Sequence, residues 1–291
     1  MNKRAKEIMD TIEEWESAYQ DYTMEVEAWK TGTGKAYNKY SNTISQINAS
    51  RADLRKEIDQ LYQFLSIWNI GERITSFDYQ LEFSNLVYLP REKCHSACSN
   101  AIEKVKAKID NSDILWPVSL LMIPSKLKSA LQEITKDYQK EQMEWENDKN
   151  ERKSEYEFYN IAAQIADIYM RIIMSTQDVI RNTIIPELSG IQSFLYADAV
   201  ANCVIENQNP VNAKISNIEE YKGTLYHQHY LFVRNVFDYY QIIVRFFTEP
   251  ILKNLVENDI DKQNEYIQEE RNRIEEKIRE IKGNVFFGGE K

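Results

Sequence analysis

The feature that most constrains this chain is an absence of breaks: from Ser125 to Ile185 there are sixty-one residues without a Gly or a Pro. As a single helix, at roughly 1.5 Å per residue, that run would extend about 90 Å. Its middle, Glu146 to Lys153, is all charge and amide. Such a stretch is either a helix crossing water or a hairpin whose turn the composition hides, and the continuous helix is the reading adopted here. Leu127, Leu131, Ile134, Tyr138 and Trp145 form a heptad-like seam before it, and a broad face centred on Ile161, Ile165, Ile168 and Ile172 follows it.

The N-terminal pattern is clearer still. Ala5, Ile8, Ile12, Trp15, Tyr19, Tyr22, Val26 and Trp29 follow alternating steps of three and four, the stripe one helix buries against another. Thr31-Gly32-Thr33-Gly34 then reads as a break, because glycine favours non-helical dihedrals at no steric cost. The alternation resumes with Tyr37, Tyr40, Ile44, Ile47, Arg51, Leu54, Ile58, Leu61, Leu65 and Trp68. The expectation is an antiparallel coiled-coil hairpin over residues 1–70. Arg51, the one charged member of its seam, is a candidate for fixing register or partner choice, or a side chain that snorkels to water.

Residues 71–124 read as a connecting region. Phe77, Tyr79, Leu81 and Phe83 alternate with polar neighbours, so residues 76–89 fit a short β-hairpin or one helical face. A helix is predicted over Arg91 to Ile109, followed by the apolar stretch Ile114 to Ile123 with Pro117 inside it. That stretch is a connection packed into the core, or an exposed tip whose Trp116, Leu120 and Leu121 seek a partner or a membrane. In the second half, residues 125–282 are expected to form a bundle and 283–291 a loose tail. Pro186 to Gly190 read as a break, and residues 225–247 carry two adjacent apolar seams that mark an interior helix. Ile260, Ile267, Ile274 and Ile281 recur at intervals of seven on an otherwise charged helix, which suggests a surface helix or an oligomeric contact. A shift of 116 residues lays Trp15, Tyr22 and Trp29 on Leu131, Tyr138 and Trp145, a hint of duplication that two heptad seams also produce by phase alone.

The fold class is therefore all-α: an elongated helical bundle with antiparallel coiled-coil hairpins and one optional β-hairpin. Eight Gly and six Pro in 291 residues are too few for a sandwich or barrel. A net charge of −10 gives no general attraction to phosphate, so nucleic acid is not an expected partner. Three cysteines and an N-terminus rich in charge lead to a cytoplasmic expectation.

Chemical motifs are sparse. Gly32-Thr33-Gly34-Lys35 has the ending of a phosphate loop, but Trp29 stands where its first Gly belongs and Ala36 where its Ser or Thr belongs. Cys94, His95 and Cys98 lie within about one helical turn and are the candidate metal ligands, with Cys203, His227 and His229 distant in sequence. No cofactor is implied. The leading expectation is a non-enzymatic scaffold that binds a protein partner or self-associates, with Arg51, Trp116, Leu120, Leu121 and Trp145 as contact candidates. A membrane-active protein is the alternative: long helices with an apolar insertion at residues 76–89 or 114–124 resemble helical pore-forming toxins in architecture. An enzyme or metal-binding protein with its site near Cys94 and His95 is the third reading.

Overall fold

The computed structural model describes residues 3–68, 124–249 and 260–287. The possible β-hairpin at 76–89, the candidate ligands Cys94, His95 and Cys98, and the apolar stretch with Trp116, Leu120 and Leu121 lie outside them. The protein is all-α, and the described residues contain no strand. Helix α1 spans Lys3–Ser66, α2 Pro124–Val179, α3 Ile185–Ile205, α4 His227–Thr248 and α5 Ile260–Gly283. A π-helical turn, Ile180–Ile184, joins α2 to α3, and two short 3-10 turns, Pro210–Asn212 and Ile218–Tyr221, lie between α3 and α4.

The expected hairpin within residues 1–70 does not form, because α1 runs unbroken through Thr31–Gly34. Each glycine costs the helix about 1 kcal/mol relative to Ala, and the structure shows what offsets it at Gly32. A Cβ there would stand 3.1 Å from the ring of Tyr156. The missing side chain is thus a notch for an aromatic ring, and the neighbouring Thr33 and Ala36 are buried on the same helix. The phosphate-loop likeness ends here too, since amides in mid-helix are committed to the i−4 carbonyls.

The long punctuation-free run is helical through its polar middle, as the continuous reading expects. Its charges are paired. Lys149 reaches Glu25 of α1 at 2.8 Å. Arg152, 5% exposed, bonds Asp148 at 2.9 Å, and the same Asp148 oxygen accepts the Tyr22 hydroxyl at 3.0 Å.

The chain divides into two compact units. The first combines residues Met1–Asn38 with Val87–Asn160, and the second Lys39–Leu86 with Ile161–Lys291. Within unit 1, α1 and α2 pair through rings: Trp15 stacks on Tyr138 at 4.4 Å and Tyr22 on Trp145 at 5.1 Å. Further along, Trp29 meets Tyr156 at 5.3 Å and Tyr37 meets Tyr159 at 5.4 Å. Both partners advance together, so the pairing is parallel, not antiparallel.

Unit 2 shows the same sense. Thr43 donates to Asp167, 124 residues on, and Gln192 donates to the Phe64 carbonyl, 128 residues back. These spacings exceed the 116-residue similarity shift by about one or two heptads. The unit's core is built from Leu54, Ile58 and Leu61 of α1, Ile165, Tyr169 and Ile173 of α2, and Phe232, Val236, Tyr239, Ile243 and Phe246 of α4, each no more than 1% exposed. Helix α4 occupies the interior as its double seam predicts, except that Leu225 precedes the helix and is 96% exposed. Ile267, Ile274 and Ile281 of α5 are also buried in this core while most of its other residues stay at the surface, so the helix is a surface helix whose stripe packs on its own chain and not on another copy.

Pro186 does not break the chain. It sits in the first turn of α3, and the π turn before it, closed by the Ile185 amide on the Ile180 carbonyl, accommodates a residue that lacks an N–H and crowds the carbonyl four back. Beside this turn Arg181 pairs with buried Glu57 of α1. Desolvation nevertheless raises the Glu57 pKa, with the Arg181 charge opposing it.

Candidate functional site: a buried carboxylate that holds the C-terminal tail

Glu187, the residue after Pro186, is 1% exposed. A buried carboxylate is costly unless hydrogen bonds compensate it. Here its two oxygens accept consecutive backbone amides of the C-terminal tail, from Phe286 at 2.7 Å and Phe287 at 2.8 Å. Charge-assisted bonds of this kind are the strong ones, and they read backbone, not side-chain identity.

The tail reaches this point through a short turn. Helix α5 ends at Gly283, the Asn284 amide returns to the Ile281 carbonyl at 3.0 Å, and the Asn284 side chain caps the Glu280 carbonyl at 2.7 Å. Residues 286 and 287 of the expected loose tail are tethered at this point, while 288–291 lie outside the described residues.

Aromatic groups complete the site. The Phe287 ring stacks on His229 at 5.7 Å and 12°, and the Phe286 ring meets His229 edge-on at 5.2 Å. Phe194 of α3 lies 5.8 Å from Tyr226, 5.5 Å from His229 and 6.2 Å from Phe287. Gly190 makes the approach possible, since a Cβ there would stand 2.9 Å from the Phe287 ring. Burial holds the His229 pKa below its ordinary value, with the Glu187 charge pulling the other way. His227, two residues earlier, faces a different environment and accepts the Gly223 amide on Nδ1 at 3.1 Å.

Other sequence candidates fall elsewhere. Trp145 is buried in the Trp15–Tyr22–Val26–Tyr138 cluster of its own chain. Arg51 is half-buried and its guanidinium donates to Asn48 at 3.4 Å. Among the described residues no group of three His, Cys, Asp or Glu is placed to hold a metal ion. Between α4 and α5 an open groove of about 610 Å³ is lined by Arg245, Arg273 and Lys277 against Asp238, Glu276 and Glu280. Lys277 pairs within the lining, with Glu280 at 2.6 Å and Asp238 at 3.7 Å, and Arg245 bonds buried Glu270 beside it at 2.6 Å.

Sequence reasoning missed Glu187 because a single Glu between Pro186 and Gly190 reads as part of a loop. Gly190 followed by a helix that stays apolar on one face was the available signal. No family model, curated protein or solved structure matches the chain.

Proposed function

We propose that this protein is a non-enzymatic helical scaffold that binds a protein partner or a second copy through the faces its paired helices leave outward. The observation that carries this reading is the pairing of α1 with α2 in unit 1. One stripe of rings, Trp15, Tyr22, Tyr138 and Trp145, is buried, while large apolar side chains on the same two helices, Met24 at 65% and Met143 at 70% exposure, point away from it. Methionine is flexible and polarisable, which suits a surface that accommodates another chain. Sedimentation velocity over a wide concentration range tests the proposal. It predicts a concentration-dependent shift above the monomer or a stoichiometric co-purifying partner; a strict monomer with no partner at every concentration contradicts it.

A specific observation supports a second reading, a membrane-active protein. One helical stretch among the described residues, Tyr138–Ile205, contains a window apolar enough to cross a membrane, and only 17% of that window is buried in the protein. Tyr196, Val204 and Ile205 at its end are exposed. Flotation with liposomes is the discriminating assay: co-flotation and dye leakage favour this reading, and the absence of binding removes it.

A further inference from the structure

The tail site has the properties of a recognition groove whose own chain is the occupant. Glu187 is a fixed, buried acceptor for two successive N–H groups. Gly190 opens a notch that admits a ring edge, and His229, itself 5% exposed, offers a flat face for stacking. All three are supplied by α3 and α4 and none by the tail, whose own cover contributes to the low exposure of Glu187 and His229.

The occupant is held differently from a core element. Phe286 is 65% exposed and Phe287 47% exposed, so little apolar burial resists peeling. What retains them is the pair of backbone bonds and three ring contacts, two on His229 and one on Phe194. Segments with few buried contacts open locally without global unfolding. Exchange of an identical terminal element between copies is a low-cost route to association, favoured where a short connection joins the element to its body, as the Gly283–Asn284 turn does here.

We infer that the groove formed by Glu187, Gly190, Phe194 and His229 is a binding site for the Val285–Phe287 segment, filled in cis within one copy and open to the same segment of a second copy. Because two backbone amides and two adjacent aromatic rings are what the groove reads, the partner it fits is a second copy of this chain presenting its tail. This deepens the scaffold reading by naming one partner and one contact. Its test is separate from sedimentation: association can occur through α1 and α2 with no tail binding, and tail binding can occur with the helix faces unused.

The test uses the full chain and a fluorescent peptide, Lys-Gly-Asn-Val-Phe-Phe, corresponding to residues 282–287. The double variant F286P/F287P removes both amide donors and both rings from the resident tail and so vacates the groove. Saturable binding to this variant, at least ten-fold tighter than to the wild-type chain, is the expected result. Adding Gly190→Val, which fills the notch, is expected to abolish it. Absence of binding to a folded F286P/F287P protein overturns the inference, as does equal affinity for variant and wild type. If the double variant does not fold, hydrogen exchange on the wild-type protein decides: excess peptide is expected to accelerate exchange at the Phe286 and Phe287 amides, and unchanged exchange overturns the inference.

Discussion

Unit 1 and unit 2 are built on the same two long helices yet are held together by different chemistry. In unit 1 the buried positions are mostly rings, and Trp15, Tyr22, Tyr138 and Trp145 each keep 7–8% of their surface exposed. Charged and hydroxyl groups flank them, as in the Lys149–Glu25 and Tyr22–Asp148 contacts. In unit 2 the same helices meet α4 and α5, and most of the buried aliphatic and aromatic side chains, among them Leu61, Tyr169, Phe232 and Phe246, fall to 0–1% exposure. The contrast teaches that a heptad stripe is necessary for pairing but does not set its strength. Among the described residues the stripe covered by more elements is the more deeply buried, and an apolar side chain contributes about 1.5–3 kcal/mol only when fully removed from water.

The largest expected effect lies in unit 2. Phe246 is fully buried and packs on Tyr169 at 5.3 Å, so Phe246→Ala is expected to cost about 4–5 kcal/mol, read from urea denaturation. Trp145→Ala in unit 1 removes a ring of comparable size from a thinner cluster. It is expected to cost about 3 kcal/mol, the lower end for such truncations, with accelerated hydrogen exchange concentrated in residues 13–30 and 138–152. Equal losses at the two sites would erase the distinction drawn between the units.

Two glycines sharpen the comparison at lower amplitude. Nothing stands within 4 Å of a Cβ at Gly34, so Gly34→Ala is expected to stabilise by about 0.5–1 kcal/mol through helix propensity. At Gly32 the same substitution meets Tyr156 at 3.1 Å, and the gain is expected to vanish or reverse. Paired thermal melts check this, and a similar gain at both positions would show that the notch does not exist.

The smallest effect is a pH dependence confined to unit 2. Burial lowers the His229 pKa below its ordinary 6.5, so the folded chain takes up this proton less readily than the unfolded chain. Stability associated with the neutral ring is therefore present above about pH 6.5, declines as pH falls through the window below it, and levels off beneath the folded-state value. His229→Gln is expected to flatten the slope of urea midpoints between pH 7.5 and 5.5 relative to the wild-type chain. Identical slopes for the two proteins would contradict the assignment.

Much of the fold was legible in residue spacing. The all-α class, the helix through Glu146–Arg152 and the buried seams of α4 followed from periodicity and the scarcity of breakers. Direction and partner choice did not, because a seam reports that a stripe is buried and carries no information on which stripe covers it. Thr31–Gly34 looked like a turn because the compensating ring of Tyr156 is remote in sequence, and Pro186 looked like a stop because a π turn has no compositional mark. The tail site was less legible than the fold: its recognition rests on Glu187 and Gly190, ordinary residues whose importance depends on Phe286 and Phe287 arriving from the far end of the chain.

The central claim is that α1 and α2 run parallel and in register. Spin labels on exposed positions of unit 1 test it directly, with Glu13 and Lys30 on α1 each paired in turn with Lys136 and Lys153 on α2. Parallel pairing predicts that Glu13–Lys136 and Lys30–Lys153 are the short distances and that Glu13–Lys153 and Lys30–Lys136 are each longer by about 20 Å, from a rise of roughly 1.5 Å per residue. Short Glu13–Lys153 and Lys30–Lys136 distances with the other two long would establish antiparallel pairing and contradict the account.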